Sequence, residues 1–284
     1  MSDEPEPIVE RAAVWGRLLY YAVLLFFVMT ALARCGGNAA AGPAMWWSLL
    51  ALFVVVNLGV MVPTLGMFAR PILAVQRGPA RNRIALTFDD GPHPTETQRV
   101  LDLLDQDGHK ATFFIVGEQA ERHRALLQEV VRRGHTLANH SYYHLYSTPF
   151  TNPSKLSEEL MRTNALIADI QGHGTRFFRA PVGLVSPRVR KAAELAGLEI
   201  IGWTAKARDG WSSTTAEAAT QRLAEALRPG AILLLHDGTD RASHVPIAAD
   251  VLAQLLPKLK EAGLRSVPLD ELLDPNAPAQ APAG

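Results

Sequence analysis

Four short runs in this chain carry side chains suited to hydrolytic or metal chemistry. Thr87-Phe88-Asp89-Asp90-Gly91-Pro92 sets two adjacent carboxylates before residues that force a turn, and His140-Ser141-Tyr142-Tyr143-His144 sets two histidines four apart. On a helical turn that spacing puts both imidazoles on one face, fit for a shared metal. Asp89 or Asp90 would complete a two-histidine, one-carboxylate set with positions left for water or substrate. Arg179-Ala180-Pro181-Val182-Gly183 offers a guanidinium able to hold a carboxylate ionised, followed by an irregular turn whose backbone N–H groups suit an oxyanion. Leu233-Leu234-Leu235-His236-Asp237 ends an apolar run in a histidine, a natural general acid, and either Asp209 or Asp237 would fix its tautomer. Each run also has a bland reading: an Asx turn, a surface histidine pair, a structural salt bridge, a hydrogen-bonded rim histidine.

The scaffold decides between these readings. After Arg70, β-rich runs at residues 83–88, 111–116, 136–138, 176–179, 198–202, 231–235 and 265–267 alternate with amphipathic stretches at 95–107, 118–133, 153–170, 186–196, 216–227 and 246–262. Gly108, Gly134, Gly197 and Gly263 each fall just past a helical stretch, where a left-handed cap wants glycine. The alternation predicts an α/β fold of about seven parallel strands with helices outside them, a (β/α) barrel or a deformed, incomplete one. Chemistry in such barrels sits at the C-terminal ends of strands. All four runs leave candidate strands at that end, and their joint placement argues for an active site more strongly than any one of them.

Ahead of this unit the chain is apolar. No Asp, Glu, Lys or Arg occurs from Leu18 to Ala33 or from Cys35 to Ala69, and a helix needs ~20 apolar residues to cross the hydrocarbon core. The expectation is two transmembrane helices turning near Gly36, Gly37 and Asn38, the second over residues 46–68. A cleaved secretory signal followed by a single anchor is the competing reading; Arg34 directly before Cys35 argues against a lipoprotein cleavage site. Arg11 and Arg17 precede the first span, Arg34 alone lies between the spans, and Arg70, Arg77, Arg81 and Arg83 follow the second. The bias of basic residues toward the inside places both termini on the cytoplasmic side of a bacterial-type inner membrane, with a periplasmic or extracellular catalytic unit as the alternative. Residues 1–70 thus read as a membrane anchor, 71–274 as the catalytic domain, and the proline- and alanine-rich 275–284 as a flexible tail. Balanced charge, 28 basic against 28 acidic residues, opposes a nucleic-acid surface, and the single Cys35 excludes an intramolecular disulfide or a thiolate zinc site.

TFDDGP at Thr87 to Pro92, HSYYH at His140 to His144, RAPVG at Arg179 to Gly183 and LLLHD at Leu233 to Asp237 resemble the motifs of the polysaccharide deacetylases of carbohydrate esterase family four, which share the NodB-type homology domain. The likeness spans residues 83–269. It implies a deformed (β/α) barrel and removal of N- or O-acetyl groups from sugars by a metal-bound water, commonly on Zn2+, with Co2+ or Ni2+ as alternatives. Carried over residue by residue, it implies that Asp90, His140 and His144 bind the metal, that Asp89 is the general base held by Arg179, and that His236 is the general acid oriented by Asp209. A backbone N–H near Val182 would help to hold the oxyanion. The chain departs from the family pattern at Val182, where an aromatic residue is usual, and at Asp209-Gly210-Trp211, where an Asp-Trp pair is commoner. Trp211 would line the acetyl pocket, stack on a sugar face, or belong to the core.

The combined expectation is a membrane-anchored, metal-dependent hydrolase that removes an acetyl group, in the first place N-acetyl, from a sugar in a glycan or lipid-linked saccharide. Its expected partners are that saccharide or glycolipid and the lipid bilayer, with no nucleic acid. An inactive barrel serving as a membrane-bound glycan-binding or scaffold module has little reason to keep Asp89, Asp90, His140, His144, Arg179 and His236 together. A non-haem iron oxygenase uses a similar ligand trio, but the paired base and separate acid histidine fit hydrolysis better.

Overall fold

The computed structural model describes residues 9–11, 14–75, 82–210, 213–239 and 245–273; Trp211 and the expected tail at 275–284 lie outside the described residues. A short strand, β1 (Val9–Arg11), precedes two helices, α1 (Trp15–Cys35) and α2 (Ala41–Met61). Each helix has 21 residues and is predominantly apolar, which at 1.5 Å per residue matches a hydrocarbon core of ~30 Å. They pack on one another as a hairpin, with the Thr30 and Ser48 hydroxyls 3.1 Å apart, and turn Leu19, Phe26, Trp47 and Phe53 outward. The open end of the hairpin is clamped to the rest of the chain. Arg17 Nε donates to the carbonyls of Gly66 and Met67 at 3.2 Å each, and the Val185 N–H donates to the Val60 carbonyl at 3.1 Å.

The remaining strands are β2 (Ile72–Val75), β3 (Arg83–Asp89), β4 (Ala111–Ile115), β5 (Thr136–Asn139), β6 (Phe177–Phe178), β7 (Glu199–Ile200), β8 (Ala205–Lys206), β9 (Ile232–His236) and β10 (Arg265–Ser266). Between and after them run α3 (Glu96–Gln106), α4 (Gly117–Arg122), α5 (Arg124–Arg132), α6 (Pro153–Gln171), α7 (Pro187–Leu195), α8 (Ala216–Ala224), α9 (Ala248–Glu261) and α10 (Leu269–Leu273). Seven strands form a curled, wholly parallel sheet in the order β7-β6-β5-β4-β3-β9-β8, and β10 pairs in parallel with the first residues of β3. The strand path stops short of a closed barrel. Across its open side lies β2: Gly202 N–H donates to the Ile72 carbonyl at 2.8 Å and Val75 N–H to that of Gly230 at 2.9 Å, while β1 adds antiparallel to β2.

The expected strands and helices are present with ends moved by a few residues, and Gly108, Gly134, Gly197 and Gly263 all adopt the left-handed conformation, with φ between 65° and 79°. The single helix expected over 118–133 is two, broken at His123. β2 and β8 were not expected: β2 directly follows an apolar span and shares its composition, and β8 is two residues long.

Strand side chains alternate between faces, and the burial follows that rule. Ile84, Leu86 and Phe88 pack outward with Val100, Leu101 and Leu104 of α3 and Val251 and Leu255 of α9, Phe88 stacking on Phe113 at 5.1 Å. Burial of each such side chain contributes ~1.5–3 kcal/mol. Ala85, Phe114, Ala138, Phe177 and Ile232 face inward and pack with Ile72, Val267 and Leu269 to fill the bottom of the half-barrel. Stepping by two from these positions reaches Asp89, His140, Arg179 and His236. The register that buries the core therefore aims all four polar side chains into the same space, above its apolar floor.

Candidate active site

In the sheet, Asp89 lies beside Phe114 of β4 and His236 of β9. Arg179 rises from the floor beneath them, fully buried with its guanidinium carbon 4.1 Å from the centre of the Phe114 ring. One terminal nitrogen donates to Asp89 Oδ1 at 2.7 Å and to Thr87 Oγ1 at 2.9 Å, and the other to the Gly202 carbonyl at 3.0 Å. Thr87 shares the inward face with Asp89, and its own hydroxyl donates to the Leu233 carbonyl at 2.7 Å. The buried carboxylate thus meets a charge-assisted hydrogen bond that fixes one oxygen.

Asp90 would face outward if the strand continued. Its φ of 70° turns the chain, and the turn is locked by close packing against the loop that follows β9: a Cβ on Gly238 would lie 2.1 Å from the Asp90 carbonyl, and one on Gly91 would lie 2.5 Å from Asp237 Oδ1. The carboxylate is thereby brought beside Asp89. His140 leaves β5 with its N–H bonded to the Ile115 carbonyl. His140 and His144 do not sit on a helical turn, contrary to the sequence expectation. They belong to a loop in which Ser141 and His144 take left-handed backbone, with φ of 65° and 53°, and in which the His144 N–H bonds to Ser141 Oγ.

Asp90 Oδ1 lies 3.2 Å from His140 Nε2 and 3.1 Å from His144 Nε2, and these atoms all fall within 4.8 Å of one another. Oδ1 is buried without a hydrogen-bond partner among the described residues. His140 Nδ1 is 2.9 Å from the Arg179 carbonyl, an atom that only accepts, so a neutral His140 carries its proton on Nδ1 and presents the Nε2 lone pair to Asp90. Convergent lone pairs of this kind fit a cation, and a ligand histidine whose other nitrogen donates to a carbonyl is a common support for one. Burial works against the Asp90 charge; imidazoles that instead carry a proton on Nε2 and donate to it hold its carboxyl well below the usual carboxylate range.

His236 sits across the cleft. Its Nδ1 is 2.7 Å from Asp209 Oδ1 and its backbone N–H donates to Asp209 Oδ2 at 2.9 Å. Burial lowers the histidine, but the Asp209 carboxylate outweighs it and the pKa is pushed up to about 10. Asp237, the other candidate for this role, points the opposite way, accepting from the Thr97 hydroxyl of α3, and its burial pushes its carboxyl up to about 7. The floor of the cleft is Leu234, and its sides include Tyr146, Val182, Trp203, Lys206, Arg208 and Gly210 around a cavity of about 250 Å³.

Residues 76–201 match the model of the family described as polysaccharide deacetylase. A peptidoglycan-N-acetylglucosamine deacetylase of Bacillus cereus is 36% identical over 202 residues, covering 67% of this chain and 87% of its own. The chain belongs to the polysaccharide deacetylase family. A chitooligosaccharide deacetylase of Rhizobium leguminosarum bv. phaseoli is 37% identical over 163 residues, 57% of this chain and 70% of its own. The crystal structure of a peptidoglycan N-acetylglucosamine deacetylase superposes with a TM-score of 0.63 at 29% identity, covering 70% of this chain and 91% of that one. The curled parallel sheet is therefore the fold of these deacetylases.

Eight of the nine site residues expected from sequence fall in or directly under this deacetylase cleft; the ninth is Trp211. Val182 lines the rim, half exposed, with a φ of 59° that is unusual for a β-branched residue and marks a strained turn. Sequence reasoning passed over Thr87, although its spacing of two from Asp89 gave the signal. Tyr146, Lys206 and Arg208 were also missed, because the backbone turns that bring them to the cleft carry no periodic pattern.

Proposed function

We propose that this chain is a membrane-anchored, metal-dependent carbohydrate deacetylase that hydrolyses an N-acetyl group on a sugar. The observation that carries the reading is the facing pair of groups on neighbouring strands: a carboxylate fixed by a guanidinium, Asp89, and a carboxylate-bound histidine, His236, on either side of the Asp90, His140 and His144 donors. Those three donors are the set that would hold a divalent ion, with Zn2+ favoured and Co2+ or Ni2+ accommodated by the same ligand types. When bound there, the ion supplies Lewis acidity and lowers the pKa of water.

The protein's own residues then handle the protons. Asp89, oriented by Arg179, takes a proton from the water that attacks the acetyl carbonyl. His236, protonated through Asp209, gives a proton to the amide nitrogen as the C–N bond breaks. The products are acetate and a free amino sugar. The strained turn at Val182 carries the backbone N–H assigned to the oxyanion. The paired helices α1 and α2 supply the anchor, which favours a membrane-proximal or lipid-linked saccharide.

Elemental analysis and an acetate-release assay on the full chain in detergent test this reading, with N-acetylated chitooligosaccharides and peptidoglycan fragments as substrates. Wild-type protein should hold about one divalent ion per chain, lost in His140→Ala. Asp89→Asn should keep the ion and lose turnover. Absence of metal after reconstitution with zinc, cobalt and nickel would overturn the reading and leave a glycan-binding or scaffold module.

A further inference from the structure

Two cations border the cleft without a part in the chemistry above. Lys206 ends β8 and Arg208 follows two residues later, and both line the cavity shared by Asp89, Asp90, His140, His144 and His236. Most arginines of this domain pair with a carboxylate, as Arg99, Arg133, Arg162 and Arg228 do. Lys206 and Arg208 have no such partner among the described residues. Lys206 Nζ lies 5.4 Å from the centre of the Trp203 ring, against another wall of the same cleft. Partial burial and the Arg208 charge both press on its ammonium. Arg208 holds a left-handed backbone, with φ of 61°, in the turn that brings Asp209 under His236. Glycine would take that conformation at less strain, yet the position carries a long cation.

Arg179 offsets Asp89 and His236 offsets Asp209, while the single negative charge of Asp90 would be exceeded by a divalent ion held with His140 and His144. Lys206 and Arg208 are left as surplus positive charge at the mouth. A neutral acetylated oligosaccharide offers them only uncharged hydroxyl and carbonyl acceptors, whereas a phosphate ester offers both a charged acceptor and so a stronger hydrogen bond. The surroundings of the mouth fit the same ligand. Val182 on its rim is three residues from Val185, whose N–H is bonded to Val60 at the end of α2, and Tyr146 and Phe150 expose 55% and 76% of their surface nearby in sequence to His144. An apolar, hairpin-side rim beside a cationic mouth suits a sugar joined to a lipid through phosphate.

We propose that the cleft takes an acetylated amino sugar bearing a phosphate ester, with Lys206 and Arg208 binding the phosphate. This names the substrate class of the deacetylase reading above and rests on it. The test uses full-length protein in neutral detergent, loaded with zinc. Calorimetry with Asp89→Asn, which should bind without turning over, compares N-acetylglucosamine 1-phosphate, its farnesyl phosphodiester, and neutral di-N-acetylchitobiose. Acetate release by the Asp89-containing enzyme is followed in parallel on the same three compounds.

Phosphate-bearing sugars should bind about tenfold or more tightly than the neutral one, as a charge-assisted pair predicts, and the advantage should shrink as salt is raised. Combining Lys206→Ala with Arg208→Ala should bring the ratio to about one through KM, and Lys206→Arg should restore part of it. Tighter binding of the farnesyl ester identifies a lipid carrier; equal binding of the two esters identifies a soluble sugar phosphate. Equal affinity for phosphorylated and neutral sugars, or a preference that survives the double substitution, would overturn the proposal. Acetate released equally well from all three would do so while leaving the deacetylase reading intact. Phosphate-dependent binding without acetate release from any of them would instead remove the deacetylase reading and keep the two cations as an anion site.

Discussion

Asp209 decides the protonation state of His236, the proposed general acid. Burial alone would strip the proton from His236; the carboxylate 2.7 Å from Nδ1 reverses that preference and lifts the pKa to about 10. A general acid works only while protonated, so activity is lost as pH rises through its pKa. Asp209→Asn removes the main cause of the rise. The alkaline limb of the kcat/KM profile should therefore move to lower pH, with turnover at neutral pH reduced by about 10² or more. An unmoved alkaline limb would show that some other group sets it. The same residue shows where sequence stops being sufficient. His236 was recognisable at the end of an apolar run, but residue type alone left Asp209 and Asp237 both as candidates to support it, and it was the family resemblance that favoured Asp209. In the structure, the left-handed turn at Arg208 and the inward phase of His236 separate them.

At the scale of strands and helices, one rule made most of the site legible: Asp89, Arg179 and His236 continue the inward set of a two-residue period, so the motif residues that end strands could be assigned to one cleft. The two residues that depart from the rule, Asp90 and His144, need left-handed backbone at φ of 70° and 53°. A periodic pattern gives no sign of that, which is why the histidine pair was expected on a helix and found on a loop. The opposite end of the sheet carries a device of a different kind. His135, just before β5, is buried and accepts the Ala111 N–H on Nδ1 at 3.1 Å, tying β5 to the start of β4. Burial first, then the charges of Lys110 and Arg133, push its pKa down to about 3. The unfolded chain takes up this proton near pH 6.5, while the folded one resists until about 3. The contribution of His135 to stability is thus complete above about pH 6.5 and is lost as pH falls from there toward 3, by an amount on the order of a few kcal/mol. His135→Asn keeps an acceptor for Ala111 and removes the titration. Thermal unfolding at pH 7 and pH 4.5 should show a smaller loss on acidification in the variant; an equal loss would place the acid sensitivity elsewhere.

For the molecule as a whole, the questions raised by the proposed anchor are whether α1 and α2 cross a bilayer and on which side of it the cleft then lies, and the chain carries its own probe. Cys35 is the single cysteine, exposed at the end of α1 beside the turn to α2. The catalytic sheet is clamped to the opposite end of the hairpin, through Arg17 to Gly66 and Val185 to Val60. If α1 and α2 cross a membrane, Cys35 and the cleft lie on opposite sides of it. Arg11 precedes α1, Arg17 lies in its first turn at the clamped end, Arg70 follows α2 at that same end, and Arg34 stands alone by the turn, a distribution that favours a cytoplasmic clamped end if the hairpin spans a membrane. In bacterial cells expressing the full chain, an impermeant maleimide applied to intact spheroplasts should therefore label Cys35, with Cys35→Ser as the blank. Added protease should leave the catalytic sheet uncut. That outcome restricts the substrate to saccharides exposed at the inner leaflet or dissolved in the cytoplasm. Labelling only after lysis, in protein recovered with the membrane, would reverse the topology, show that the arginine bias is outweighed, and direct the search to glycans outside the membrane. Labelling before and after lysis with no membrane association would remove the anchor, and with it the reason for a cleft whose apolar rim lies on the hairpin side.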